Sequence, residues 1–511
     1  MFWYYLIKLH SQGVFVITTQ QTKDPIKHVV LLMLENHSFD EMLGCFQEKY
    51  PYLEGVNPNN PPRFNVDSKG NKYHQLPKDS YSMKLDPLHD FEDVKEQMAE
   101  GNAGFIKNFL AHYKCKATQE ECHNIMGYYR RGFLPALHAL AEDFTICDHW
   151  FSSLPGPTWP NRLFALSGTS SGYVTMPDGI KDLDFVKTID HQTQKTIFDR
   201  LSEKGKTWKI FFYDFPESLI FANQRKPDKL SHYNSIDEFF KDDTQKDESS
   251  FPDFVFIEPK YFGLDQNDDH PPHTIMKAEK LIGDVYNAIR SNDSLWNTTL
   301  LIVVFDEHGG FYDHVMPPPA VPPDNQLTEY TFDQLGLRVP AILVSPWVKR
   351  GVDTTIYDHT SLLKYLINKW DLGPLGERTA QANSIARAIS SKKRPETDTL
   401  AHIRVPFSQL IQDDVKEVDP QTSSHQGAIH RLADYIENEL NGEEPSVEAK
   451  AFTILTQIFH FWIEIKAWVG KMFYELGMKL AGQKIQDHTL RINKTEFIAK
   501  KLIEGAKTRN Q

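Results

Sequence analysis

The chain has few cysteines. Four occur in 511 residues, Cys45, Cys115, Cys122 and Cys147, and none of them forms a Cys-x-x-Cys pair. A structural zinc knuckle of that type is therefore excluded. Cys115 and Cys122 are close enough in sequence to form a disulfide in an oxidising compartment, and two free thiols fit the sequence equally well.

The chain also lacks an excess of basic residues. It contains 56 Lys and Arg against 69 Asp and Glu, which gives a formal net charge of −13 at pH 7. This charge argues against nucleic acid as a partner, because a phosphate backbone requires a basic surface that nothing here supplies. It is compatible with a zwitterionic lipid.

The N-terminus lacks a continuous apolar run. Residues 1–19 are apolar in patches, but Lys8, His10 and Gln12 interrupt them and no small-residue cleavage site follows. We therefore expect residues 1–23 to be neither a Sec signal nor a membrane span.

Two apolar runs do occur, and each ends in oxygen-bearing side chains. Residues 26–34 and 300–305 are rich in Val, Ile and Leu, as buried parallel strands are. Glu35–Asn36 follows the first run and Asp306–Glu307 follows the second. A single acidic residue after a strand more often caps a helix. Two such pairs favour one divalent cation, because loops at the carboxyl ends of strands converge on one crevice.

A third segment surrounds Thr158 with Pro and Gly, in residues 151–162. These residues fix the backbone and are predicted to keep a helix from starting before Asn161. A threonine hydroxyl is a poor nucleophile at neutral pH, but a divalent cation beside it promotes loss of its proton. Without the metal-binding pairs, Thr158 would be read as a surface residue of a rigid turn. With them, the sequence predicts a hydrolytic metalloenzyme.

Six motifs, in order over residues 25–385, resemble a phosphoesterase family that includes bacterial phosphatidylcholine-preferring phospholipases C and acid phosphatase A. The motifs are Glu35 to Asp40, Asp86 to His89, Gly156 to Arg162, Asn267 to Pro272, Asp306 to His314 and Tyr357 to Ser361. Six ordered motifs argue against a chance match. Within the family, the chain is most similar to the zinc-dependent phospholipase C of Legionella type, in a branch without an obvious secretion signal.

The resemblance implies an α/β fold, with an alkaline-phosphatase-like central sheet that is mostly parallel and flanked by helices. It also implies one metal ion, held by Glu35, Asn36, Asp306 and Glu307, with Thr158 beside it as ligand and nucleophile. Hard oxygen donors suit Mg, Ca or Mn as well as Zn. The choice of zinc therefore rests on the resemblance.

Four histidines of the family motifs are candidate site residues. The resemblance implies that His89 and His270 flank the phosphate, where imidazole can donate to its oxygens and protonate the leaving alkoxide. His314 and His359 are weaker candidates, because a histidine after a glycine turn often only orients its neighbours.

Two further residues of the Thr158 motif are candidates for the catalytic site. Asn161 and Arg162 are expected either to donate to phosphate oxygens or to hold the Thr158 turn, and the arginine fork suits the first task.

The predicted metal ligands, Thr158 and the histidines, taken with the resemblance, imply a metal-dependent phospholipase C. It would cleave phosphatidylcholine-type lipids to diacylglycerol and phosphocholine through a phosphothreonine. The same motifs would serve an acid phosphatase acting on phosphate monoesters. A third reading is a catalytically inactive lipid- or partner-binding module, but such a module has no chemical need for a metal beside a hydroxyl. By resemblance alone, we expect a bacterial effector that is exported by a specialised secretion system and acts on host membranes.

The remaining pattern alternates between strands and helices, as a parallel α/β sheet requires. Residues 24–440 are assigned to the catalytic domain, and Pro216 to Ser250 is predicted to be a solvated insertion that forms a surface loop or shapes the substrate cleft. The other predicted strands and helices are Trp208–Tyr213, Phe254–Ile257, Val339–Val344, Leu134–Glu142 and His273–Arg290.

Residues 441–511 are predicted to be an amphipathic helical region. An apolar stripe at spacings of three and four is formed by Leu455, Ile458, Trp462, Ile465, Val469, Met472 and Leu476. Charges within this stretch argue against a membrane span. We expect either a helix that docks on lipid or a helix packed on the catalytic domain.

Overall fold

The computed structural model describes residues 24–176, 194–263, 265–325, 330–406, 423–442 and 484–509. The N-terminal segment 1–23 and the apolar stripe between Leu455 and Leu476 lie outside these ranges, so both predictions stay open. Within the described ranges, every helix is too short or too polar to cross a membrane.

The strands form one large sheet and two small ones. Their bounds are β1 His28–Leu34, β2 Phe64–Val66, β3 Lys72–His74, β4 Pro77–Lys78, β5 Tyr128–Tyr129, β6 Thr145–Cys147, β7 Trp208–Phe212, β8 Tyr233–Ser235, β9 Phe254–Ile257, β10 Thr299–Phe305, β11 Ala341–Val344 and β12 Gly351–Asp353. The large sheet has the order β12-β6-β11-β10-β1-β9-β7-β8. Strand β11 is antiparallel to both of its neighbours, and the other pairings in this sheet are parallel.

Helices are interspersed with these strands along the chain. Their bounds are α1 Phe39–Met42, α2 Phe91–Asn102, α3 Phe105–Tyr113, α4 Gln119–Met126, α5 Leu137–Asp143, α6 Thr158–Ser167, α7 Ile197–Glu203, α8 Pro227–Leu230, α9 Ile236–Lys241, α10 Ile275–Arg290, α11 Asp293–Trp296, α12 His359–Trp370, α13 Gly376–Gln381, α14 Ser424–Gly442 and α15 Lys484–Arg509. The predicted α/β class, with a mostly parallel central sheet flanked by helices, is confirmed.

The two central strands explain where the site lies. Every residue of β1 and β10 is buried, which is why both strands read as continuous apolar runs rather than alternating ones. The strands pair in parallel with Leu34 opposite Phe305. The residues that follow them therefore emerge side by side at one edge of the sheet.

Two local predictions are wrong. Helix α6 begins at Thr158 rather than after Asn161. Pro160 is tolerated there because the first turn of a helix has no partners for its N–H groups. Pro216 to Ser250 is not simply a solvated loop, because it contributes strand β8 to the large sheet and buries Glu217.

Candidate active site

The two oxygen-bearing pairs meet at the carboxyl edge of the sheet. The main-chain N–H of Asp306 donates to Leu34 O at 3.0 Å, and the N–H of Asn36 lies 3.3 Å from Asp306 Oδ1. Glu35, Asn36, Asp306 and Glu307 are completely buried. The structure thus brings together the four side chains that the sequence predicts as metal ligands.

Close packing of two turns holds this edge. Asn36 has a φ of 59°, in the left-handed region that asparagine tolerates better than most residues. Gly309 has a φ of 64°, and a Cβ built on it would lie 2.0 Å from Asn36 O. Only glycine fits at residue 309, because any side chain would push the Asn36 turn away.

Thr158 faces the Asn36 side chain. It is the first residue of α6, it is buried, and its Oγ1 lies 3.4 Å from Asn36 Oδ1. Asn161 holds the preceding turn: its Oδ1 accepts from Leu154 N at 3.1 Å and its Nδ2 donates to Gly156 O at 2.9 Å. Of the two roles predicted for Asn161, this geometry favours the holding of the turn.

Arg162 supplies a positive charge between carboxylates. Its Nε donates to Asp306 Oδ2 at 2.9 Å, and its Nη2 donates to Glu35 Oε1 at 3.1 Å. Its Nη1 contacts Glu217 Oε2 at 3.0 Å and Tyr261 Oη at 3.0 Å. Burial raises the pKa of Glu35 well above its usual value, and Arg162 opposes that rise. The guanidinium therefore organises the acidic side chains on which a metal would bind.

His89 and His270 lie side by side, with ring centroids 5.7 Å apart. Burial alone would lower the pKa of His89, but Glu307 and Asp86 raise it to about 9. Burial, followed by the charge of His89, lowers the pKa of His270 to about 3. The two rings are set to opposite protonation states at neutral pH, a pattern found where one group serves as an acid.

His89 also contacts Asn36, the residue that Thr158 faces. Its Nδ1 contacts Pro87 O at 2.7 Å, and its Nε2 lies 3.3 Å from Asn36 Nδ2. The Thr158 hydroxyl and the His89 imidazole thus converge on one amide.

The two weaker histidine candidates orient other groups. His359 Nε2 donates to the main-chain oxygen of Asp306 at 2.6 Å. His314 Nδ1 contacts Asp40 Oδ2 at 2.7 Å, in a separate buried cluster with Asp313 and Arg338.

Three side chains of the site were not anticipated from the sequence. Glu258 follows β9 directly and accepts from the N–H of Glu217 at 2.6 Å, and its place after a strand was the signal that could have revealed it. Burial and the nearby Glu217 raise its pKa to about 7. Glu217 itself lies in a polar segment, and His425 lies far beyond the motifs, so neither carried a local signal.

The residues present fit a divalent cation. Several buried atoms of the candidate active site lack a hydrogen-bond partner among the described residues. They include Glu35 Oε2, Glu307 Oε1, His270 Nε2 and His425 Nδ1. Buried polar atoms are rarely left unsatisfied unless an ion or water completes them. Glu35, Glu217 and His425 offer ligand atoms that lie within 4.8 Å of one another, and Asp86, His89 and His270 form a second such group.

Comparisons with known proteins find relatives of this chain. Non-specific phospholipase C6 of Arabidopsis thaliana is 33% identical over 438 residues, which cover 81% of each chain. Phospholipase C B of Mycobacterium tuberculosis is 28% identical over 444 residues, covering 72% of this chain and 79% of that one. A solved structure from the alkaline phosphatase superfamily, from Vibrio parahaemolyticus, matches 47% of this chain and 61% of its own with 15% identity and a TM-score of 0.28.

The sequence profile of the Phosphoesterase family matches residues 26–373, a range that includes both predicted metal-binding pairs, Thr158, His89 and His270. The protein is a phosphoric ester hydrolase, and the chain belongs to the Phosphoesterase family.

Proposed function

We propose that the protein is a metal-dependent phospholipase C that hydrolyses phosphatidylcholine-type lipids to diacylglycerol and phosphocholine. The observation that carries the proposal is the convergence of the Thr158 hydroxyl and the His89 ring on Asn36, between two strand ends that carry buried carboxylates. Similarity to proteins named phospholipase C supports the choice of substrate.

Glu35, Asn36, Asp306 and Glu307 would hold the cation, with Thr158 beside it. When bound, a divalent ion lowers the pKa of a neighbouring hydroxyl and offsets charge on phosphoryl oxygens. Zinc is the ion we propose, because the resemblance favours it.

The reaction begins at Thr158. The Thr158 hydroxyl first loses its proton to solvent. Its oxygen then attacks phosphorus in line, the bond between phosphorus and the glycerol oxygen breaks, and a phosphocholine ester of Thr158 forms. His89 gives its proton to the departing glycerol oxygen. Water then attacks phosphorus from the vacated side and returns a proton to His89, and the Thr158 oxygen leaves as phosphocholine is released. Asn36 Oδ1 accepts from the Thr158 hydroxyl, and Asn36 Nδ2 can donate to His89 Nε2 once that ring has given up its proton.

The test compares phosphatidylcholine vesicles with a soluble phosphate monoester. The metal-free protein is assayed alone, with zinc restored, and with Mg, Ca or Mn. Zinc-dependent release of phosphocholine and diacylglycerol is the expected result. Cleavage of the monoester alone would reassign the protein to an acid phosphatase, and no turnover with any of the ions would favour a binding module.

Export to a host membrane, with a role in virulence, is also a proposal. It rests on the resemblance, and a secretion assay with tagged protein in a bacterial host would test it.

A further inference from the structure

Helix α14 brings a residue into the active site from beyond the family-matched range of 26–373. His425, the second residue of this helix, is buried. Its Nε2 forms a short contact with Glu217 Oε1, and its Nδ1 lies 3.0 Å from Glu35 Oε2. The imidazole therefore lies between two carboxylates of the site.

The helix that carries His425 is firmly packed. Gln426 donates through Nε2 to Tyr261 O at 2.7 Å and to Gln266 Oε1 at 3.1 Å. Five apolar side chains of the helix join the main hydrophobic core: Ala428, Ile429, Leu432, Ala433 and Ile436. The position of His425 is thus set by a whole helix rather than by a single loop contact.

The two faces of the ring are not equivalent. Both ring nitrogens face a carboxylate, and the closer contact, with Glu217, takes the single proton of the neutral ring on Nε2. This leaves a lone pair on Nδ1, facing the Glu35 carboxylate. Apart from their 3.0 Å contact with each other, His425 Nδ1 and Glu35 Oε2 are buried without a hydrogen-bond partner among the described residues.

Two acceptor atoms at 3.0 Å repel each other unless a proton or a metal ion lies between them. Arg162 does not fill this role, because its nitrogens contact Glu35 Oε1 and Glu217 Oε2, the other oxygens of the two carboxylates. Two ligands that each lie about 2.1 Å from one zinc ion can be this far apart. The pair therefore has the spacing of two ligands of one ion.

We propose that His425 is a nitrogen ligand, through Nδ1, of the divalent ion at Glu35. Glu217 holds the ring in the tautomer that this requires, as a carboxylate behind a metal-bound histidine does. The inference rests on the proposed function for the presence of an ion at Glu35. A nitrogen ligand added to oxygen ligands shifts the preference of the site from Mg or Ca toward Zn.

The test measures metal binding by the full-length, metal-free protein. Isothermal titration calorimetry with zinc and with magnesium compares the wild type with His425→Gln. The matched control is His430→Gln, because His430 is a buried histidine on the same helix whose Nδ1 contacts Thr495 instead of the site. We expect His425→Gln to weaken zinc binding at least tenfold and to change magnesium binding less than about threefold. We expect His430→Gln to bind both ions as the wild type does.

A second readout identifies the nitrogen directly. Pulsed electron paramagnetic resonance of the manganese-loaded protein should show coupling to an imidazole nitrogen in the wild type and in His430→Gln, and this coupling should be lost in His425→Gln. If His425→Gln fails to fold, as judged by circular dichroism, Glu217→Gln replaces it. That variant keeps an acceptor for the ring, and we expect it to weaken zinc binding by a smaller factor.

Three results would overturn the proposal. Wild-type zinc affinity in folded His425→Gln, or nitrogen coupling that persists in it, would remove His425 from the ligand set while leaving the phospholipase assignment intact. A wild type that binds no divalent ion would refute the metal-dependent function together with this ligand.

Discussion

Replacing Arg162 with Met should strongly destabilise the protein. Arg162 is 4% exposed and places its guanidinium between Glu35, Glu217 and Asp306. Removing one partner from a buried ion pair costs about 3–5 kcal/mol, because the charge left behind has neither water nor a counter-ion. We expect a loss of that size in the free energy of unfolding at pH 8.

The cost should also depend on pH. Arg162 opposes the rise that burial causes in the pKa of Glu35, so in the folded variant this pKa is higher still and folding takes up a proton. The penalty is fully present above this raised pKa and shrinks as the pH falls toward the usual carboxyl value of about 4.5. Urea denaturation followed by tryptophan fluorescence, in chelator at pH 8 and pH 5, measures both effects.

Arg350→Met is the matched control. The side chain of Arg350 is 43% exposed and pairs with Asp143, and exposed ion pairs contribute about 0–1 kcal/mol. An Arg162→Met protein that loses no more stability than Arg350→Met at pH 8 would refute the view that this guanidinium holds the acidic site together.

Three further predictions concern local packing and protonation. Gly309→Ala should lower activity at least tenfold and destabilise the fold, because the added Cβ would lie 2.0 Å from Asn36 O. The control is Gly70→Ala, since Gly70 also has a positive φ, of 85°, but no atom lies within 4 Å of its added Cβ. Thermal unfolding should show a cost of only about 1–2 kcal/mol for Gly70→Ala. Burial lowers the pKa of His138 to about 4, so below pH 6.5 the unfolded state binds a proton that the folded state does not. The free energy of unfolding should therefore fall by roughly 3 kcal/mol between pH 6.5 and 4. In urea titrations, His138→Gln should make this fall with pH smaller. Asn161→Ala should lower kcat more than it raises KM, because it loosens the Thr158 turn without removing the hydroxyl, and steady-state kinetics with vesicles would check this.

Much of the fold could be predicted because its central strands are buried on both faces. The predicted strand at residues 300–305 corresponds to β10, and Phe254–Ile257 was predicted with the bounds that β9 has. The antiparallel direction of β11 was not predictable, since an apolar run of this length has no signal for strand direction.

Some residues of the candidate site could likewise be predicted from the sequence, and others could not. Glu35 and Asp306 could be placed because each directly follows a strand, and parallel pairing puts them side by side. Glu217 could not, because an acidic residue in a polar segment is usually solvated and only the tertiary contact with Arg162 buries it. His425 contacts Glu217 across 208 residues of sequence, and no local pattern reports a contact of that range.

The role of Thr158 is measured by the rate at which zinc-loaded Thr158→Ala, Thr158→Ser and wild-type protein release phosphocholine from phosphatidylcholine vesicles. We expect Thr158→Ala to be slower than the wild type by about 10³-fold or more. Thr158→Ser should retain measurable turnover, because either hydroxyl can attack phosphorus, and chelator should abolish the activity of Thr158→Ser and of the wild type. A wild-type rate in folded Thr158→Ala would show that Thr158 is not the nucleophile.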